Sequence, residues 1–254
     1  MTTNDPKEVE LLRKSGRILA EVLALVMDQT KAGISAAQLD ILAETEIKKR
    51  GGKPSFKNYK AHPQGPKFPA SLCVSVNDEV VHGIPYSKKV LKDGDIVGLD
   101  LGVEYQGFYT DAAVTVPVGN VDNHGLHLID TTRTCLNAAL KVKAGQFTGD
   151  IGQAIESTAK LNGFSVVREL VGHGVGKSVH EDPEVPCFGQ PRTGTKLVSG
   201  MVLAIEPMVN EGQWKVVFAD DGWTVRTADG RRSAHFEHTA IVTEEGCEIL
   251  TDMV

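Results

Sequence analysis

The sequence predicts an α+β fold made by duplicating one unit of helices followed by strands, and three observations predict it. Residues 94–119, GDIVGLDLGVEYQGFYTDAAVTVPVG, read as a long β-hairpin. Two stretches with helical spacing of apolar residues precede this hairpin, and two more follow it before strands return. Short motifs also recur: Lys31-Ala32-Gly33 comes back as Lys143-Ala144-Gly145, and LKDGDIVGLD (91–100) as LVSGMVLAIE (197–206).

Taken in order, Asp5-Pro6 has the form of a helix N-cap and first helical position. Val9, Leu11, Leu12, Ile18, Leu19, Val22, Leu23 and Val26 then recur at helical spacing, and the helix should end near Lys31-Ala32-Gly33. Ser35 with Gln38 forms a capping box and Ile34 with Leu39 a hydrophobic staple, so a second helix runs on to Gly51-Gly52. From Lys53 to Ala70 the chain is rich in Pro, Lys and Gly without periodicity, which predicts a mobile surface loop.

Leu72-Cys73-Val74-Ser75-Val76 alternates like a strand, and Val80 to Pro85 ends in a turn. In the hairpin, Ile96, Val97, Leu99 and Leu101 lead in, Val114, Val116 and Val118 lead out, and Glu104-Tyr105-Gln106-Gly107 reverses the chain. Beyond Gly119 the plan repeats: a helix over about 126–142, a break at 143–145, a helix after Thr148, a histidine-bearing segment, then strands. One domain, 1–254, with half-repeats at about 6–119 and 126–250, is the expected organisation.

The hairpin carries the chemistry. Asp100 and Asp111 are equidistant from the middle of the tetrapeptide reversal, so an unbulged ladder would oppose them directly, with Cβ atoms roughly 4.5–5.5 Å apart. Two carboxylates so placed repel by about 3 kcal/mol at an effective dielectric near 20, and a cation between them removes that cost. Aspartate is also depleted in strands. Small residues beside both positions, Gly98, Gly102, Ala112 and Ala113, leave room for a ligand, and a carboxylate-bridged metal pair is the commonest reason for such a site.

The internal repeat adds to this reading, because it aligns Asp100 with Glu206. The following TDAAVTVPVG matches FEHTAIVTEEG and aligns Asp111 with Glu237. Gly172, Gly174 and Gly176 flank His173 and free the backbone to bend tightly around it, with His180, Glu181 and Asp182 just beyond. A histidine in that setting, joined to four strand carboxylates, is a ligand candidate.

The 254 residues, 41% hydrophobic and 24% charged, can build one large core or two fused halves. A net charge of -6 argues against nucleic acid or an anionic membrane as a principal partner. Cys73, Cys135, Cys187 and Cys247 lie far apart without CxxC spacing and read as reduced thiols. No apolar leader or membrane-span-length run is present, so a soluble, cytoplasmic protein is expected.

As a set, NDEVVHGIP with His82, DLGVEYQGFYTDAA, GHGVGKSVHEDPEVP, AIEP and FEHT closely resemble the type I methionine aminopeptidases, in order and over nearly the whole chain. The resemblance implies the pita-bread fold, with an antiparallel sheet, helices on one side and two related halves. It implies two divalent metal ions held by Asp100, Asp111, His173, Glu206 and Glu237. Four carboxylates and one imidazole suit Co, Mn, Fe or Zn without selecting among them.

The implied activity is removal of N-terminal methionine from peptides and nascent chains by metal-activated water. By the same resemblance Glu206 accepts the proton of that water as well as ligating. His180 donates to the carbonyl as it becomes tetrahedral, and His82 contacts the substrate amide. Tyr59, Phe68, Cys73, Val179 and Trp223 match the family's apolar pocket for the first side chain.

Three departures stand out: Lys60 to Lys67 lengthens the spacing before FPAS, Val179 replaces an aromatic residue, and His235 replaces a glutamine. A monomer, acting without membrane or nucleic-acid binding and with at most a transient ribosome contact, is the expected setting. The alternatives are a proline-specific relative, which would need a large N-terminal domain for which there is no room before Asp100, and a non-catalytic binding protein on the same fold.

Overall fold

A computed structural model describes residues 1–253 and shows an α+β arrangement. The first half opens with α1 (Pro6–Gln29), whose N-cap Asp5 accepts the Lys7 amide at 2.9 Å. Helix α2 (Ala36–Lys49) starts at the expected capping box of Ser35 and Gln38. Then come β1 (Lys53–Pro54), β2 (Leu72–Val76), β3 (Glu79–Val81), β4 (Ile96–Tyr105) and β5 (Phe108–Pro117).

The second half has α3 (Asn123–Ala139), α4 (Thr148–Leu161), β6 (Ser165–Val166), β7 (Val171–Gly174), β8 (Glu181–Pro186) and β9 (Val202–Ile205). It continues through β10 (Met208–Asn210), β11 (Val216–Phe218), β12 (Val225–Thr227), β13 (Ser233–His235), β14 (Glu237–Val242) and β15 (Cys247–Ile249).

The main sheet has nine antiparallel strands, seven in the order β1-β4-β5-β14-β9-β7-β8, with β2 also on β4 and β15 also on β14. The strands flank the β5–β14 seam in like fashion: the β4–β5 hairpin lies on one side, the β14–β9 pair on the other. Hydrogen bonds in the two halves match as well. Gly33 N donates to Leu91 O at 2.8 Å, and Gly145 N to Leu197 O at 2.9 Å; Gly94 N donates to Val118 O at 2.8 Å, and Gly200 N to Val242 O at 2.9 Å. Gly33 and Gly145 share φ +89°, a left-handed turn that glycine enters without cost, which is why both tripeptides end in glycine.

In β4 and β5 alternate residues point to opposite faces. Leu99, Leu101, Ala112 and Val114 join the principal core with Ile18, Leu19 and Val22 of α1, which packs across both strands. The other face carries the polar residues. The 53–70 segment differs from the surface loop expected, because Lys53 and Pro54 pair with Glu104 and Val103, and Phe56, Phe68 and Ala70 are buried. Aromatic anchors override its Pro and Gly content, leaving residues 60–67 as an exposed excursion broken only by half-buried Gly65.

Candidate metal centre

The hairpin turns one residue later than the tetrapeptide suggested. Tyr105 pairs with Phe108 across Gln106-Gly107, and both turn residues have positive φ, +50° and +85°, as a type I′ turn requires. Asp100 therefore opposes Ala113, and Asp111 opposes Gly102. The aspartates are diagonal neighbours on one face and not a direct pair. The slip is an even number of residues, which is why they still share a face.

From this register the centre assembles as a row across the sheet. Cys73 opposes Asp100, Asp100 opposes Ala113, and Ala113 opposes Glu237. Glu206 directly follows β9, and His173 of β7 opposes Ala204 of that strand. With a side-chain period of two, Asp100, Asp111, Glu237, Glu206 and His173 emerge on the face away from α1. Asp111, His173 and Glu237 each present one ligand atom, all within 4.8 Å of one another.

The glycines around His173 serve a purpose different from the one expected. His173 sits in strand β7, where the pairing with β8 shifts register between His173 and Gly174, and a Cβ on Gly172 or Gly174 would run into the carbonyl of Ala204 or of Asp182, so close neighbours require the glycines there. Of the three, only Gly176 has positive φ, +140°. His173 Nδ1 lies 2.9 Å from the Gly174 carbonyl oxygen, which can only accept, so Nδ1 carries the proton and Nε2 keeps its lone pair. That free nitrogen is 3.5 Å from Glu206 Oε1.

Burial and mutual repulsion dominate the charges. Burial raises Asp100 to about 6, with His235 opposing and Glu206 adding to the rise. Asp111 and Glu237 are pushed well above the usual carboxylate range, by burial first and then by the neighbouring carboxylates. Burial pushes Glu206 the same way, but the imidazoles of His235, His173 and His82 outweigh it and hold Glu206 low. Burial lowers His82 to about 4, and desolvation by the cavity wall together with His173 lowers His180 to about 4, although part of its side chain is exposed.

Asp100 Oδ1, Asp111 Oδ1 and Glu237 Oε1 are buried without a hydrogen-bond partner. Buried acceptors clustered in this way are costly unless a cation answers them, so the donor set fits divalent metal. His235, flagged in the sequence only as a departure, lies against the centre with Nε2 3.4 Å from Glu206 Oε2.

The centre floors a cavity of about 220 Å³ whose upper walls are Tyr59, Phe68, Cys73 and Trp223, with His82 and His180 also lining it. Two wall residues went unread in the sequence, Phe56 and Ala61. Ala61 belongs to the lengthened stretch, which had no motif to mark it, whereas Phe56 stands three residues before Tyr59 and could have been found. Val179 is buried with Phe68, Cys73 and Trp223, one layer behind the cavity wall.

Residues 10–244 match the metallopeptidase family M24. The chain is 50% identical over 245 residues to a methionine aminopeptidase of Clostridium perfringens, covering 96% of each. Its fold superposes on the crystal structure of methionine aminopeptidase from Thermotoga maritima with a TM-score of 0.94 and 47% identity, over 99% of this chain and 100% of that one. A prolidase from Pyrococcus furiosus shares the fold at a TM-score of 0.79 and 21% identity, with 99% of this chain covering 65% of that one. The fold is the pita-bread fold of these neighbours.

Proposed function

The chain belongs to metallopeptidase family M24 and, within it, to the methionine aminopeptidases, and from that membership we propose how it releases N-terminal methionine from peptides and nascent chains. The observation that carries the proposal is the buried group of Asp111, His173 and Glu237, with unpartnered carboxylate oxygens, at the floor of a largely apolar cavity. Asp100, Asp111, His173, Glu206 and Glu237 would hold two divalent ions, of Co, Mn, Fe or Zn. Bound there, the ions supply Lewis acidity for a water and for the scissile carbonyl.

The chain's own groups supply the rest. Glu206, held low and therefore ionised, accepts the proton of the attacking water. His82 and His180 are neutral at pH 7, so each can donate an N–H without placing a second charge beside the centre. His180 meets the carbonyl oxygen as it gains charge, and His82 meets the substrate amide. Tyr59, Phe68, Cys73 and Trp223 receive the methionine side chain, in a cavity below the ~300–1,000 Å³ of drug-sized sites and suited to one residue.

We further propose one catalytic domain of two duplicated halves, 6–119 and 126–250, working as a monomer. Its matched backbone hydrogen bonds support the duplication. Four free thiols support a reducing, cytoplasmic setting, with any ribosome contact transient. No described helix is long and apolar enough to cross a membrane.

The test is to incubate metal-reconstituted protein with Met-Ala, Leu-Ala and Ala-Pro peptides and score the residue released, with and without chelator. Release of methionine first, abolished by chelator, is expected. Preference for the Ala-Pro peptide, or hydrolysis indifferent to chelator, would overturn the assignment.

A further inference from the structure

His180 is not a free side chain at the cavity mouth. Its Nδ1 lies 2.8 Å from the Tyr59 hydroxyl, and its ring is 5.0 Å from the Tyr59 ring and 4.2 Å from that of His173. A hydroxyl can donate or accept, so the distance alone leaves the tautomer of His180 open. Tyr59 is half-buried and His180 exposed, so it is the protein side of the hydroxyl that bears on the choice. Among the described residues His180 Nδ1 is the one partner of its hydroxyl, and the neighbouring wall is apolar, formed by Phe56, Phe68 and Trp223. The hydroxyl proton therefore has one protein acceptor, Nδ1.

We propose that Tyr59 is a positioning residue for His180, its hydroxyl donating to Nδ1 so that the ring is fixed with its proton on Nε2. This extends Tyr59 beyond the apolar wall and rests on the reading of His180 as the donor to the carbonyl oxygen. With Nδ1 occupied as an acceptor, Nε2–H is the donor left to serve that oxygen. The pair repeats, in a different form, what holds His173. There a backbone carbonyl accepts from Nδ1–H and frees Nε2 as a ligand; at His180 a hydroxyl donates to Nδ1 and makes Nε2 a donor. Neighbouring imidazoles are thus set to opposite tasks by what each Nδ1 meets.

Tyr59 is rigid enough to do this. Its amide donates to Phe56 O and its carbonyl accepts from Phe68 N, both at 2.9 Å, and Asn58 N donates to Phe68 O at 2.9 Å. These bonds close the base of the 60–67 excursion, so Tyr59 stands on a pinned stem and is not carried on the exposed loop. Orientation matters because a donor contributes to a developing oxyanion only when it is already aimed at it.

Tyr59→Phe tests the proposal, since it deletes the hydroxyl and keeps the ring that packs on His180. In metal-free wild-type protein, imidazole ¹⁵N NMR should show His180 with unprotonated, hydrogen-bonded Nδ1 and protonated Nε2, and in Tyr59→Phe the Nδ1 resonance should move to that of a free acceptor. In the metal-loaded enzyme kcat should fall by about tenfold or more with KM changed less than about twofold. A protonated Nδ1 in wild type, or a resonance unmoved by Tyr59→Phe, overturns the pairing itself. The expected resonances with unchanged kcat would leave the pairing standing but overturn the role of His180 at the carbonyl, and Tyr59's part in the reaction with it.

Discussion

Thr239 Oγ1 spans the backbone of Asp111, accepting from its amide and donating to its carbonyl, each at 2.8 Å. Thr115 does the same for His235 across the same seam, with both bonds at 2.9 Å. Strands β5 and β14 pair directly at only two positions, Glu237 with Ala113 and His238 with Ala112, so the hydroxyls extend the ladder on either side of them. Thr239→Val should therefore leave two buried backbone groups at Asp111 unpaired and destabilise the metal-free protein by about 1–3 kcal/mol. Urea unfolding checks this, and a variant as stable as wild type would show that the seam does not depend on the hydroxyl.

Asp111→Asn removes one charge from the carboxylate group while keeping its shape. Metal affinity should fall and turnover be lost, with the circular dichroism spectrum native-like. Full activity in a natively folded variant would sink the metal assignment.

The same variant has a pH signature in metal-free protein. Asp111 is raised in the fold, so its contribution to stability is present below the unfolded pKa of about 3.9 and is lost as pH climbs through its folded value. Asparagine has no such loss. The stability of Asp111→Asn relative to wild type should accordingly increase between pH 5 and pH 8, read as the difference in Tm. A difference that is flat or shrinks with pH would contradict the carboxylate repulsion.

How much of this was legible in the sequence depended on whether local pattern or distant neighbours set each feature. Helix caps at Asp5 and Ser35 and the shared face of Asp100 and Asp111 follow from local pattern and could be read directly. The turn register was misplaced because Gln106, a residue not usual at positive φ, sits where Asn or Gly would have announced a type I′ turn. The close approach of Gly172 and Gly174 to the neighbouring chain, the hold of Thr239 on Asp111, and the donor to His180 all depend on residues brought from elsewhere in the fold. No periodicity records them. The metal centre was readable chiefly because aspartates and glutamates in apolar strands violate the local rule, and such violations mark function.

His82 has φ +57° and stands between Val81, paired with Val225 of β12, and Gly83, anchored to β2, with Gly83 N donating to Ser75 Oγ at 3.1 Å and Gly83 O accepting from Val74 N at 2.8 Å. A non-glycine residue held in that conformation is aimed by its frame. His82→Ala should keep the metal and lower kcat by about 10²-fold or more. Elemental analysis beside kinetics settles the point: metal lost in proportion to rate would make His82 a ligand instead.

Val179 tests the first-residue pocket from behind its wall. It is buried against Phe68, Cys73 and Trp223, so a larger side chain there can only push forward into the cavity or displace those three. A thioether at a ring edge gains roughly 0.3–1.5 kcal/mol, a contact that valine cannot offer. Val179→Phe should thus raise the ratio of kcat/KM for methionine over norleucine by about several-fold, because norleucine matches methionine in length and lacks the sulfur. The gain is bounded by what already lines the pocket: Tyr59, Trp223 and Ala61 of the lengthened stretch. If both substrates are cleaved and the ratio does not move, the new ring has packed away from the cavity, and the side chain at 179 supports the wall without reading the substrate. If both rates collapse while the metal is retained, the ring has pushed Phe68 or Trp223 into the space methionine needs, and Val179→Leu, a smaller step, should recover activity.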